Sequence, residues 1–343
     1  MIHLHIGTAR PGSTTIQRFQ AIQSLYPDWQ HILIDTSRWL DEPAKVLRSI
    51  AYRFKTGPVI RQFNKQLLIE LDKLPDHVDL VWVDKAVFTN KKSTDRLRRM
   101  TSNLWHYTPD PAFLYHGSSY FNENIGEYDL AITTKHFELD QYAQTLTRNK
   151  VVLCPQGVDL ELYKVTTPFE QRESRLLFIG HYEKNRAELF IQLLNLDLPL
   201  TIAGKGWKKF CSRYKTHDVR YLGEGLFGDD YIDALNSHKY GLGLLSKWIP
   251  ETHTTRTLEI PACGSVLFTE ETPDTRSFFT EQQVVFFQTP EQIAEKFRLL
   301  ESESNRAESI ASAGRKRISA GGFSFKDILK PIIEDKLLQR KSA

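Results

Sequence analysis

Short apolar runs of strand length recur along the chain, separated by stretches in which apolar residues return every three or four positions. The runs read as buried strands, and the return near 3.6 residues reads as amphipathic helix. In the first half, strands fall at Ile2–Ile6, His31–Asp35, Leu80–Val83, Leu104–Tyr107, Leu130–Thr133 and Val151–Leu153. Ser13–Leu25 carries Ile16, Phe19, Ile22 and Leu25 at helical spacing, and Val59–Leu71 reads as a second helix. The series then restarts. Strands at Leu176–Ile179, Leu200–Ala203, Val219–Leu222, Tyr240–Leu245, Val266–Thr269 and Val284–Phe287 alternate with helices at Asn185–Leu194, Tyr231–Asn236 and Thr255–Cys263. Helices at Glu291–Leu300, Arg306–Ser319 and Phe325–Leu338 close it.

Strands alternating with helices make a parallel α/β sheet, and a series that restarts makes two of them. A chain of 343 residues is long enough for two cores. The expected layout is one Rossmann-like domain over residues 1–154 and a second over 176–322. Between them lies an irregular linker over 155–175 that holds Pro155, Gly157 and Pro168. A last helix within 323–343 is expected to pack back on the first domain. Open α/β sheets bind ligands at the carboxyl ends of their strands, so the loops that follow strands are the places to look for chemistry.

Composition narrows the partners. Hydrophobic residues make up 41% and charged residues 25%, as in globular proteins. Lys plus Arg less Asp plus Glu is 45 − 42 = +3, a balance that asks for no nucleic acid. Cys154, Cys211 and Cys263 are far apart and show no C-x-x-C spacing, which suits neither a disulfide framework nor a structural zinc site. Cys263 reads as a small buried apolar residue. The N-terminus lacks a basic segment followed by a long apolar run, and no apolar run approaches the ~20 residues of a membrane span. A cytoplasmic location is expected.

The most informative segment runs from Glu251 to Gly264, reading Glu-Thr-His253-Thr254-Thr255-Arg256-Thr-Leu-Glu259-Ile-Pro261-Ala-Cys-Gly. It leads from one strand into a helix, and His253, Thr254 and Thr255 in that turn are expected on the donor side. Thr254 or Thr255 is placed to cap that helix, whose free N–H groups and positive dipole end suit a diphosphate, and Arg256 adds a permanently charged fork. Glu259 falls one turn further in, where a carboxylate can accept from vicinal hydroxyls such as those of a ribose. Glu251 sits in the loop before the helix, within reach of a sugar hydroxyl. Pro261 should kink a helix that starts near Thr255, since an interior proline costs about 3 kcal/mol.

Glu251 and Glu259 have the E-x7-E spacing of retaining glycosyltransferases of the GT-B fold, and Arg256-Thr-Leu-Glu-Ile-Pro-Ala-Cys-Gly264 resembles the signature of the CgeB-like (spore-maturation-type) family. Phe178-Ile-Gly180-His181 with Asn185-Arg186 is similar to that family's first strand and loop of the nucleotide domain, and Asp79–Lys85, Tyr107–Asp110, Tyr128-Asp129 and Thr133–Lys135 look like its N-terminal half. The resemblance implies the GT-B fold and transfer of a sugar from a UDP- or GDP-linked donor to a hydroxyl of a glycan, a lipid-linked molecule or a protein. It implies that Glu259 holds the ribose, Glu251 approaches the sugar, and Lys184 or Arg186 meets the pyrophosphate. Glu251 fits the family by spacing alone. Retention is implied too. Helix dipole and cations hold the diphosphate in such folds, so no metal or cofactor is expected, and no suitable loop carries an Asp-x-Asp run.

Other residues carry two readings each. Gly204-Lys-Gly206-Trp207 follows a strand, so its glycines and Trp207 or Phe210 either meet a nucleotide base or form a packed turn. His181 and Lys184 either face the donor or are merely solvated. On the acceptor side stand Gly7, Gly12, Ser13, Asp84 and Lys135, with Asp110, His106 and His136. One of Asp84, Lys135, Asp110, His106 and His136 acts as the base if the transfer inverts. The loop Gly7–Thr14 is close to a P-loop but has Ser13 where the lysine belongs. It also resembles the phosphate loop of sulfotransferases, which makes a sulfotransferase the competing enzyme. A non-catalytic sugar-binding or structural relative of the GT-B proteins is the non-enzymatic alternative. Basic residues cluster at Arg48, Arg53, Lys55, Arg61 and Lys65, interleaved with Ile50, Tyr52, Phe54, Ile60 and Phe63, and again at Lys91, Lys92, Arg96, Arg98 and Arg99. A solvated basic face is the first reading. Peripheral contact with an anionic membrane at its inner face is the second.

Overall fold

A computed structural model of the chain describes residues 1–10, 12–114, 117–147 and 150–338. Pro11 of the Gly7–Thr14 loop and residues 339–343 lie outside the described residues. The chain divides into two compact units, Met1–Pro155 with Phe325–Ala343, and Gln156–Ser324.

The first unit holds strands β1 (Ile2–Gly7), β2 (Gln30–Asp35), β3 (Leu80–Asp84), β4 (Leu104–Thr108), β5 (Leu130–Thr133) and β6 (Val151–Leu153). All pair in parallel, in the order β2-β1-β3-β4-β5-β6. Its helices are α1 (Thr14–Leu25), α2 (Ser37–Asp41), α3 (Lys45–Phe54), α4 (Pro58–Leu71), α5 (Lys91–Met100), α6 (Ser119–Asn124) and α7 (Leu139–Thr145). Alternate residues of β3 face opposite layers. Val81 and Val83 pack with Phe63 and Leu67 of α4, whereas Leu80 and Trp82 pack with Ile22 of α1. Burial on both faces is why these strands read as unbroken apolar runs.

The second unit holds β7 (Glu173–Ile179), β8 (Leu200–Ala203), β9 (Val219–Tyr221), β10 (His238–Gly243), β11 (Val266–Glu270) and β12 (Val285–Phe287). These too are all parallel, in the order β12-β11-β10-β7-β8-β9. The helices are α8 (Lys184–Asn195), α9 (Lys208–Arg213), α10 (Asp229–Ser237), α11 (Arg256–Ala262), α12 (Pro273–Phe278), α13 (Pro290–Ser302) and α14 (Ser304–Ser319). The last helix, α15 (Phe325–Ile333), belongs to the first unit, where Phe325, Leu329 and Ile333 join the core beside α1.

Two features differ from the sequence reading. The segment 155–175 is no linker: Val158 N–H donates to the Phe323 carbonyl at 3.0 Å, Arg172 bonds Ser265 Oγ at 3.0 Å, and Tyr163 is buried. Strand β10 ends at Gly243, two residues early, which lengthens the loop before α11. Strand order reverses between β1 and β3 in one sheet and between β7 and β10 in the other, the switch points where α/β sheets open a crevice.

Candidate functional site

At the switch point of the second sheet, β7 runs through Gly180–Glu183 into α8, and β10 runs through residues 244–255 into α11. A residue missed in the sequence ties these two loops together. Glu183 is buried, its carboxylate ion-pairs with Arg186 Nη1 at 2.8 Å, and His181 Nε2 lies 3.2 Å from it. It also accepts from Ser246 Oγ at 3.3 Å and from the Lys247 N–H at 3.4 Å. Glu251 folds back on the same loop, its Oε2 accepting from the Ser246 N–H at 3.2 Å, while Lys247 pairs with Glu270 at the end of β11. The start of the loop is therefore pinned by carboxylates.

Glu259 lies in the first turn of α11, three residues after Arg256, so the two share one face of the helix. Its carboxylate is buried. Oε1 accepts from Tyr163 Oη at 3.0 Å and Oε2 from Tyr231 Oη at 2.6 Å. Burial, and then the charge of Glu259, raise Tyr231 well above the usual phenol range, so its proton stays available for that bond. A carboxylate offers about four lone-pair positions, and two tyrosines fill only half of them. Neither tyrosine was foreseen, because each reaches Glu259 from a different element. Among the described residues, no acceptor reaches the buried Nε of Arg256. Burial lowers the pKa of Arg186 and of His181, and the Arg256 charge lowers both further. Two arginines and an imidazole thus share one region, with Glu183 and Glu251 as the counter-charges.

The structure revises several expected roles. His253 is a bracket: Nδ1 lies 2.8 Å from Asp274 Oδ2, and Nε2 accepts the Gln156 N–H at 3.0 Å. Neither Thr254 nor Thr255 caps α11 with its hydroxyl. The contact runs the other way, from Thr254 N–H to Thr257 Oγ1 at 3.1 Å. Pro261 falls in the last turn of a seven-residue helix rather than at a kink in a longer one. Arg186 is buried and held by Glu183 and by the His181 carbonyl at 3.2 Å. Lys184 is the exposed cation at the start of α8, 3.8 Å from Glu188. Trp207 and Phe210 are core residues: the Trp207 ring packs with Phe178, Phe190 and Phe210, and its Nε1–H donates to the Gly180 carbonyl at 2.8 Å. Gly204 serves the same packing. A Cβ there would lie 1.9 Å from the Gly180 oxygen, and its φ of +141° is one that L side chains rarely adopt.

A cavity of about 380 Å³ opens beside this cluster, lined by Asn185 and Arg186 of α8, Leu244, Lys247, Glu270 and Thr289 among others. Its size is that of a small-molecule pocket.

In the first unit, two expected site residues are structural. His106 is fully buried among Phe121, Tyr128 and Tyr142, its Nε2 3.3 Å from Tyr142 Oη, and burial pushes its pKa down to about 4. Asp84 accepts from Arg18 Nη2 at 2.6 Å and Trp82 Nε1 at 2.8 Å inside the core. Neither is free to meet an acceptor. Lys135 is buried just after β5, its N–H bonding Thr133 Oγ1, whereas His136 starts the following turn. Asp110 stands partly exposed beyond β4, 2.6 Å from Lys85 Nζ. Lys85 and Ala86 both take positive φ, 65° and 46°, directly after β3 at this sheet's switch point. Such strain concentrates where backbone serves function.

The Gly7–Thr14 loop is a poor phosphate cradle. Its Ala9 N–H is taken by Asp35 Oδ1 at 2.9 Å, and Arg10 by Asp41 at 2.8 Å. Ser13 caps α1 by accepting from the Ile16 N–H at 3.3 Å, and Gly12 takes φ 75° before it. Gly7 lets the strand pass Asp84, whose Cβ would be 2.8 Å from an added Cβ. Carboxylates thus engage two of the donors that the described part of this loop could offer a sulfate donor.

Residues 184–333 match the family model described as glycosyl transferase-like. Among curated proteins no sequence matches this chain. Solved structures share its whole architecture. HepE of Anabaena, crystallised with UDP and glucose, is 13% identical, with 98% of this chain and 99% of that one covered at a TM-score of 0.62. Sucrose-phosphate synthase of Thermosynechococcus elongatus is 12% identical over all of both chains at 0.67. α,α-Trehalose 6-phosphate synthase of Burkholderia multivorans is 11% identical over 100% and 99% at 0.64.

Proposed function

We propose, for a chain whose residues 184–333 match the glycosyl transferase-like family model and whose fold is GT-B, that it is a glycosyltransferase whose donor is a UDP- or GDP-linked sugar held at the β7/β10 switch point. The carrying observation is the pair on α11: a buried carboxylate fixed by two tyrosines, one turn from an arginine with an unengaged Nε. Glu259 takes the ribose hydroxyls on its remaining lone pairs. Arg256, with Lys184 at the start of α8, takes the pyrophosphate, since an exposed or half-buried cation there has charge to give and Arg186 does not. Glu251 orients the sugar.

In the first unit, Asp110, partly exposed beyond β4, receives an acceptor hydroxyl from a glycan, a lipid-linked molecule or a protein. The transfer is retaining, with the departing phosphate taking the acceptor proton, so none of the carboxylates needs to serve as the base. It needs no metal, because the cations already face the developing phosphate charge. The run Arg256–Gly264 supports placing the chain in the CgeB-like branch. We place the reaction in the cytoplasm, at the inner face of the membrane where the acceptor is lipid-linked.

A thermal-shift panel of nucleoside diphosphates tests the donor class. UDP or GDP should raise the melting temperature, and Arg256→Ala should weaken that ligand about tenfold or more, as loss of a charge-assisted pair does. Stabilisation by none of the panel would end this reading.

A further inference from the structure

Helix α3 presents an apolar row to solvent. Of its ten residues, only Ala51 is buried. Val46, Ile50 and Phe54, four apart and therefore on one face, are 70%, 41% and 62% exposed, and the neighbouring Leu47 is 42% exposed. A helix this short has little stability of its own in water and normally depends on burying its apolar face. Here most of that face has nothing beneath it.

Charge says what would cover it. From Pro43 to Ile69 the chain carries Lys45, Arg48, Arg53, Lys55, Arg61 and Lys65, and no Asp or Glu. The other basic helix, α5, behaves differently: Lys91 pairs with Asp95, Arg96 with Asp72 and Arg98 with Asp129. Three of its five cations are thus paired within the unit. Among the described residues, Arg48 is the one cation of α3 that approaches an acid, 3.9 Å from Asp41. Lys55 caps the helix in the left-handed conformation and bonds the Tyr52 carbonyl, which sets one more cation at the exposed end. A second copy of this face would bring like charges together, so self-association is opposed.

We propose that α3 docks the protein on an anionic lipid bilayer. The Val46–Ile50–Phe54 row enters the boundary between headgroups and acyl chains, Arg53 beside the row meets lipid phosphates, and Lys45 and Arg48 on the opposite side add to the attraction of the anionic surface. Periodicity shows that a helix has an apolar side but not whether that side is covered. The assignment is independent of the donor site. It fits a lipid-linked acceptor and survives if the acceptor is something else.

The test is co-sedimentation of the full chain with vesicles of phosphatidylcholine, with and without phosphatidylglycerol. Binding is expected only to the anionic vesicles and should weaken with salt. Ile50→Ser with Phe54→Ser should lower the partition coefficient about tenfold or more, from the lost apolar burial. Arg53→Ser should lower it about fivefold, the value of one cation near such a surface. All these positions are exposed, so melting temperature and UDP binding should match the parent chain. As a second readout, Phe54→Trp should show a blue-shifted emission on adding anionic vesicles. No binding to anionic vesicles at low salt would overturn the proposal, as would binding that survives the Ile50→Ser and Phe54→Ser pair. So would a dimer or an acidic-protein complex, lost in that pair, in a chain that ignores vesicles.

Discussion

Replacing Glu259 with Gln isolates what its charge does. The side-chain volume is kept, and one of two acceptor oxygens becomes an NH2 donor. Tyr163 and Tyr231 now donate to the two oxygens at 3.0 and 2.6 Å. In the variant one hydroxyl must turn to accept from the amide, and the other still donates, so neither is orphaned and the fold should hold. Any ribose hydroxyl bonded to the carboxylate loses its ionic partner. Hydrogen bonds to charged groups are worth about 1.5–3 kcal/mol against about 1 for neutral ones, so the loss is about 1.5 kcal/mol, or roughly tenfold in Kd. Isothermal titration should show that factor for UDP and for uridine alike, because both carry the ribose. Inorganic pyrophosphate, which lacks it, should bind Glu259→Gln as it binds the parent chain. The reasoning is refuted if the UDP affinity stays within about twofold of the parent, or if the loss appears on pyrophosphate alone.

Two further outcomes follow from the packing. Gly204→Ala sets a methyl carbon 1.9 Å from the Gly180 oxygen at φ +141°. It should cost about 3 kcal/mol or more in urea unfolding and abolish UDP binding, whereas a parent-like midpoint would mean the loops do not meet there. Acid should weaken the first unit. Burial lowers the pKa of His3, His5 and His106, the last to about 4 from 6.5. The folded form therefore holds these groups neutral while the unfolded chain takes up protons, and stability falls as pH drops from about 7 towards 4. His106 alone should account for about 2 kcal/mol between pH 7 and 5. Denaturation at stepped pH checks this, and His106→Gln should flatten the slope.

What the sequence alone determined was local and periodic. Strands such as Leu80–Asp84 and Leu104–Thr108 are covered on both faces, so every position is apolar or shielded and the run is visible without a partner. That Arg256 and Glu259 share a helix face is likewise a matter of spacing three apart. The short helices α2 and α3 were not legible: the first is only five residues long, and the second buries a single residue.

Tertiary structure decided which polar groups have partners. Trp207 and His106 stood at strand ends where a ligand was expected, yet aromatic neighbours from distant elements bury both. Tyr163 meets Glu259 across 96 positions of chain, and Ser246 meets Glu183 across 63. A periodic pattern shows only which face a residue occupies. Whether its charge is already engaged depends on long-range contacts, and only the folded chain brings those partners together.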